Sequence, residues 1–81
     1  MYSRTKIRLD TVSAVSDFVS KLNSDGTTYK YILENFDCTK RVDARSYLGC
    51  IYASSDFGGE IFLINVTKDS EYPSFIYDFM I

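Results

Sequence analysis

The spacing of apolar residues changes from segment to segment along this 81-residue chain, and each spacing is typical of one kind of secondary structure. Polar and apolar side chains alternate over residues 2–9, which predicts a strand with one buried face. Apolar residues then recur every three or four positions, which predicts a helix over 11–23 with its N-cap oxygen on Asp10 or Thr11. The apolar stripe of this helix consists of Val12, Val15, Phe18, Val19 and Leu22. Turn-forming residues from 23 to 26 should end that helix.

The middle of the chain divides in the same way. Residues 28–34 and 40–43 predict two further strands, for which a hairpin is the economical connection. Ser46 can cap a short helix over 46–53, and two adjacent glycines should end that helix. The apolar segment 60–66 then predicts a strand from the middle of a sheet.

The last segment predicts a closing helix over 70–80. Pro73 falls in its first turn, where proline is tolerated, and the aromatic and aliphatic residues that follow keep helical spacing. The order β-α-β-β-α-β-α predicts a single α+β domain over residues 1–81, in which a four-stranded antiparallel sheet carries three helices on one face.

The chain contains no histidine, which excludes a Ser-His-Asp triad, a Cys-His pair, a histidine metal site and a phosphohistidine relay. Cys38 and Cys50 alone do not form the ligand set of a structural zinc site, and the carboxylates lack the spacing of a calcium loop. The triplet Asp56-Phe57-Gly58 has the letters of the kinase magnesium loop, but the other kinase motifs are absent, so we interpret it as a turn. We therefore expect neither an enzyme nor a metal or cofactor site.

The two cysteines are expected to be reduced thiols, because a small secreted domain would usually carry more of them. Cys50 falls near the start of the predicted second helix, where the helix dipole could lower its pKa. A small apolar residue on the buried side of that helix is the simpler interpretation.

Nine basic and eleven acidic residues give a net charge of -2, whereas a nucleic-acid binder needs a concentrated basic patch. Arg4, Lys6 and Arg8 do cluster, but at alternating positions that fit the solvent side of the first strand. No apolar run approaches the ~20 residues of a membrane span. The first residues lack the apolar core of a signal peptide. We therefore expect a cytoplasmic protein that binds neither nucleic acid nor membranes.

One segment carries more specific information. The sequence VDARSYLG at 42–49 is followed ten residues later by GEI at 59–61. This pattern resembles the HPr family, the small phosphocarrier proteins of the bacterial sugar phosphotransferase system. In that family a short strand, a basic residue, a regulatory serine, two apolar residues and a glycine occur in this order. The resemblance extends in organisation over residues 2–66, and it implies the family's open-faced β-sandwich with βαββαβα order.

The chain departs from that family at the phosphocarrier site. Family members hold a histidine at the start of the first helix, in a His-x-Arg-Pro context, where helix amides and an arginine receive the phosphoryl group. The matching residues 11–16 contain no histidine, arginine or proline. Ser13 and Ser16 are no substitute, because a serine phosphoester lacks the transfer potential of a phosphoramidate. We therefore expect phosphoryl transfer from an enzyme I partner to a sugar permease to be lost.

The residue types of the family's second functional site are present at the matching positions of this sequence. Ser46 matches the serine that an ATP-dependent HPr kinase phosphorylates, and Arg45 matches a position that is usually basic. The resemblance implies that Tyr47, Leu48 and Ile51 form an exposed apolar patch through which partner proteins dock. We expect Arg45 to be part of the same partner-binding surface. Two alternatives stay open: Ser46 is only a helix N-cap, and Tyr47 and Leu48 are core residues under the sheet.

The resemblance implies a non-carrier regulatory or adaptor protein of the HPr type, controlled at Ser46. Its partners would be an HPr serine kinase and a transcription or metabolic regulator. One alternative is a small-molecule-binding regulatory α+β domain that matches HPr only locally. Another is a degenerate structural or dimerising paralogue, which the aromatic-rich segment 75–81 keeps open. We expect a monomer or a weak homodimer.

Overall fold

Four strands and two α-helices lie within residues 3–80, the part of the chain that the computed structural model describes. The elements in chain order are β1 (Thr5–Ile7), α1 (Val12–Asn23), β2 (Tyr31–Glu34), β3 (Arg41–Asp43), α2 (Tyr47–Asp56) and β4 (Ile61–Asn65). A short 3₁₀ helix follows at Ser74–Asp78.

The four strands form one antiparallel sheet in the order β1-β4-β2-β3. The first strand therefore pairs with the last one, with Thr5 opposite Leu63, and the two central strands are β4 and β2. Strands β1 and β3 lie at the two edges of the sheet. This arrangement confirms the predicted α+β class and the four-stranded antiparallel sheet.

Both α-helices pack on one face of the sheet. Thr11 caps the start of α1, and its hydroxyl oxygen accepts a hydrogen bond from the Ala14 amide at 3.0 Å. Its buried side contributes Phe18, whose ring packs edge to face against Phe79 with ring centres 5.3 Å apart. The core beneath the helices is formed by the inward residues of the strands, which are Ile7, Tyr31, Leu33, Ile61 and Leu63.

The opposite face of the sheet carries an ionic network. Glu34 in β2 is buried, and its carboxylate lies 3.3 Å from Arg4 Nε and accepts a 2.7 Å hydrogen bond from Arg41 Nε. The Arg4 guanidinium also stands 3.9 Å from the ring centre of Phe62 in β4. These contacts link Arg4, directly before β1, to side chains of β4, β2 and β3, so the network crosses the whole sheet. A carboxylate this deeply buried is tolerated because two arginines face it.

The prediction of a closing helix over 70–80 is wrong, and residues 3–80 contain two α-helices rather than three. Pro73 is extended, with φ -66° and ψ 151°, and only a 3₁₀ turn follows it. The Phe79 carbonyl then accepts a 2.7 Å hydrogen bond from the Arg8 amide, and Met80 forms a β-bridge with Ile7. Pairing with the edge of β1 replaces the helical hydrogen bonds that the spacing of apolar residues predicted.

The other predicted elements are present with shorter or shifted bounds. The strand predicted over 2–9 extends only from Thr5 to Ile7, and its first residue lies outside the described residues, as do residues 1 and 81 of the predicted domain. The second helix continues to Asp56, beyond the predicted end at 53. Val12, which we expected in the buried stripe of the first helix, is 64% exposed.

Candidate functional site

Ser46 is the N-cap of α2. Its backbone is extended, with φ -91° and ψ 120°, and its Oγ accepts a 3.1 Å hydrogen bond from the Gly49 amide. The Ser46 amide donates in turn to the Asp43 carbonyl at 3.0 Å, which fixes the turn between β3 and α2. The capping role predicted for this serine is confirmed. The first turn of α2 holds no acidic side chain, so the partial positive charge of its free amides is not offset there.

Two large side chains directly after Ser46 face solvent. Tyr47 is 43% exposed and Leu48 is 77% exposed. Ile51, one turn further on, is half-buried and packs against the core. The alternative in which Tyr47 and Leu48 are core residues under the sheet is therefore wrong. The structure brings these two side chains to the surface beside Ser46 and turns Ile51 partly away from it.

Helix α1 adds a residue that sequence reasoning missed. Val12 lies at the start of α1 and lines a shallow groove with Tyr47 of α2. The rest of that groove is formed by polar side chains on one side of α1, namely Ser13, Ser16, Asp17 and Ser20. We call Val12, Tyr47 and Leu48 the helix-start patch, since all three lie in the first turns of the two helices. A valine directly after an N-cap is the signal that could have revealed it, because the first turn of a helix often extends beyond the core.

Arg45 points into the molecule rather than toward the helix-start patch. Its guanidinium donates to the carbonyl oxygens of Leu22 and Tyr29, at the end of α1 and just before β2. Its Nη2 atom, which is one of the two donors to Tyr29, also reaches Thr27 Oγ1 at 3.2 Å and Asp25 Oδ1 at 3.5 Å. These bonds tie three segments of the chain together directly before Ser46. The structure therefore places Arg45 as an internal anchor of the turn that presents the serine.

Gly49 allows α2 to approach β3 closely. A Cβ atom at this position would lie 3.2 Å from Val42 Cβ and 3.3 Å from the Asp43 carbonyl oxygen. These distances are shorter than ordinary van der Waals contacts between such atoms. The glycine that follows the two exposed residues thus sets the distance between the start of α2 and the edge strand.

Cys50 is buried, as the simpler interpretation predicted, and its Sγ donates to the Ala44 carbonyl at 3.2 Å. Burial raises the pKa of the Cys50 thiol to about 12, and the nearby charge of Asp43 adds to this shift. Desolvation outweighs the dipole of α2, so the thiol is not activated as a nucleophile. Both Cys50 and the exposed Cys38 are free thiols.

The remaining sequence candidates have structural explanations. The triplet at 56–58 closes α2: Asp56 is its last residue, Phe57 is buried at its C-cap, and Gly58 follows with a positive φ of 65°. Within residues 3–80, no group of three cysteine, aspartate or glutamate side chains converges in a way that could hold a metal ion. Neither α-helix in this part of the chain has the length and apolar character needed to cross a lipid bilayer.

Comparisons with protein-family models, with curated proteins and with solved structures gave no match to this chain.

Proposed function

We propose that this chain is a non-carrier regulatory or adaptor protein of the HPr type, which protein partners recognise through the helix-start patch and which phosphorylation of Ser46 controls. The exposure of Tyr47 and Leu48 directly after a helix-capping serine is the observation that carries this proposal. Exposed aromatic and aliphatic side chains close to one another are typical of the centres of protein interfaces.

The architecture supports the same proposal. The described residues follow the order β-α-β-β-α-β, which is the order that the resemblance to HPr implies up to the last strand. Both helices lie on one face of the sheet, so their first turns can present one surface. In the proposed HPr-like fold this surface is the one that partners contact.

A phosphate on Ser46 is compatible with the fold. It would add almost two negative charges at the start of α2, where free amides and the helix dipole favour an anion by about 0.3–1 kcal/mol. Arg45 is the cation next to it in sequence, but its guanidinium is bonded to internal carbonyls. The new charge would therefore remain on the helix-start patch, where it changes the affinity for a partner more than it changes stability.

Phosphorylation is tested with ATP and an HPr serine kinase, followed by intact mass and fragmentation. We expect a single phosphate on Ser46, retained in Thr11→Ala and lost in Ser46→Ala. Thr11 is the matched control because it caps α1 with the same kind of hydrogen bond. No phosphate on a protein shown to be folded by circular dichroism would overturn control at Ser46.

Docking is tested by the rate of the same reaction. Leu48→Ser should lower the kinase kcat/KM by at least about fivefold, which corresponds to an anchor residue worth roughly 1 kcal/mol. Tyr77→Ser is the control, because Tyr77 is 76% exposed, nearly the same fraction as Leu48, and lies in the 3₁₀ helix far along the chain. Equal losses in both variants would argue against the helix-start patch as the docking surface.

A further inference from the structure

The outer edge of β3 has backbone groups with no strand beside them in the described part of the chain. The Asn35 amide donates to the Lys40 carbonyl at 3.2 Å, and the Ala44 amide donates to the Tyr31 carbonyl at 3.0 Å. Along an antiparallel strand, the backbone hydrogen-bonding groups of successive residues point alternately to one neighbour and to the other. Lys40 and Ala44 bond to the β2 side, so Val42 between them also bonds to β2. The amides and carbonyls of Arg41 and Asp43 therefore point outward, away from the sheet. The Asp43 carbonyl already accepts a hydrogen bond from the Ser46 amide at 3.0 Å and lies close to Gly49. Among the described residues, the outward groups without a partner are therefore the Asp43 amide and the amide and carbonyl of Arg41.

Arg41 and Asp43 also place opposite charges on this edge. Both side chains lie on the sheet face away from the helices, since Val42 between them packs against the core. The Arg41 side chain is 63% exposed, and its one carboxylate partner, Glu34, is shared with Arg4. The Asp43 carboxylate accepts the Arg45 amide at 2.9 Å and is exposed to solvent. One end of β3 thus carries surplus positive charge, and the other end carries negative charge.

We propose that a second copy of this chain pairs with β3 in an antiparallel orientation, with a two-fold axis at Val42. Arg41 then lies directly opposite Asp43 of the second copy, and Asp43 lies opposite Arg41 of the second copy. Opposed residues of an antiparallel pair share a face, so both charge pairs form on the face away from the helices. The Asp43 amide of each copy then donates to the Arg41 carbonyl of the other copy, and the two sheets become continuous.

Three registers would bring the outward backbone groups of the two strands together, and the charges favour the one with Arg41 opposite Asp43. A shift of two residues in one direction places Arg41 opposite Arg41, and a shift in the other direction places Asp43 opposite Asp43. Like charges directly opposite each other destabilise a strand pair. The other edge of the sheet is less suited to self-pairing, because the β-bridge between Ile7 and Met80 and the bond from Arg8 to Phe79 already occupy part of it.

The association is weak, because β3 has only three residues and charged side chains limit how tightly edge strands pair. The dimer also differs from the proposed regulatory function. It uses the edge of the sheet and no residue of the helix-start patch. Failure of either proposal therefore leaves the other one untouched.

Sedimentation equilibrium on the full chain, from micromolar to millimolar concentration, tests the dimer. Amide hydrogen exchange, measured by NMR over the same concentration range, shows which residues form the dimer interface. We expect a reversible monomer–dimer equilibrium, in which exchange at the Arg41 and Asp43 amides slows as the dimer forms. A chain that stays monomeric up to millimolar concentration would overturn the proposal.

Charge variants test the register. Asp43→Lys places like charges opposite each other and should abolish the dimer. Asp43→Asn keeps an acceptor for the Arg45 amide and should weaken association by about 2- to 30-fold, the effect of losing two cross-strand charge pairs. Asp78→Lys is the control for net charge, because it makes the same change in the exposed 3₁₀ helix.

Dimers of unchanged affinity in both Asp43→Lys and Asp43→Asn would place the interface elsewhere and refute the β3 pairing. The Asn variant keeps this test valid if the Lys variant does not fold.

Discussion

Arg45 donates two hydrogen bonds to the carbonyl oxygen of Tyr29, from Nε at 3.0 Å and from Nη2 at 2.9 Å. The same guanidinium reaches the Leu22 carbonyl through its other terminal nitrogen. It also lies 5.3 Å from the ring centre of Tyr31. One half-buried side chain thus satisfies a carbonyl in the last turn of α1 and another in the loop before β2, and it holds the turn before α2 against the end of α1. The planar fork of an arginine is required for this, because a lysine ammonium cannot span the same set of acceptors.

Arg45→Lys should lower the free energy of unfolding by about 2 kcal/mol, because at least one buried carbonyl loses its charged donor. Urea titration followed by circular dichroism measures this change. Arg8→Lys is the matched control: Arg8 is exposed and pairs with Asp10 at 3.4 Å, so its loss should stay within about 0.5 kcal/mol. Equal stability of the two variants would show that the Arg45 contacts contribute little.

Asp25 should make stability depend on pH in the acidic range. Partial burial raises the pKa of its carboxyl, but hydrogen bonds from Thr27 and the nearby Arg45 charge outweigh burial, so its pKa lies below the ordinary 3.8. The ionised form therefore stabilises the fold. This contribution is complete above the unfolded pKa, and it is lost as the pH falls through the folded pKa. Asp25→Asn should be less stable at neutral pH, and its stability should fall less steeply below about pH 4. Identical slopes for both proteins in urea titrations across this range would contradict the assignment.

The two thiols should differ in reactivity. Burial holds the pKa of Cys50 at about 12, whereas Cys38 is exposed in the turn between β2 and β3. A hydrogen bond with Glu34 also raises the pKa of Cys38, so mildly alkaline conditions are suitable. Iodoacetamide should add one group per native chain, on Cys38, and two groups in denaturant, with mass spectrometry as the readout. Comparable labelling of both residues in the native protein would show that the α2 region opens readily.

Gly49→Ala should destabilise the protein by about 1 kcal/mol, although alanine favours a helix. The added methyl group meets Val42 Cβ at 3.2 Å and the Asp43 carbonyl oxygen at 3.3 Å, so α2 must move away from β3. Ser55→Ala, on the exposed side of the same helix, controls for helix propensity and should change stability by a few tenths of a kcal/mol. A Gly49→Ala protein more stable than wild type would mean that this contact adjusts without cost.

The periodicity of the sequence was sufficient to locate the four strands and the two α-helices. The alternation in β1 and the stripe of apolar residues in α1 reflect which side of each element faces one core. Ser46 was identified as a cap because a capping serine acts on its own helix, within three residues. Features of this kind depend on residues that are close together in the sequence, so they can be predicted without knowing the tertiary structure.

The contacts that depend on distant segments could not be predicted in this way. Arg45 is sixteen residues from Tyr29 along the chain, and nothing in its neighbourhood indicates that it points inward. The 70–80 segment has a helical apolar pattern, yet Phe79 bonds to Arg8 at the edge of the sheet. Tertiary hydrogen bonds overrode the local preference there. The same is true of Val12, which has helical spacing but lies beyond the area that the core covers.

The pairing of β1 with β4 has a consequence for how the chain folds during synthesis. Thr5 meets Leu63, so the first strand emerges from the ribosome long before its neighbour exists. Until Ile61–Asn65 has been made, β2 and β1 have no central strand between them, and the sheet cannot close. Since most of the sequence separates these partners, the rate of folding is limited by a long loop closure rather than by helix formation. Formation of the sheet therefore waits for β4, and fragments that end before β4 should expose the apolar side of α1 to chaperones.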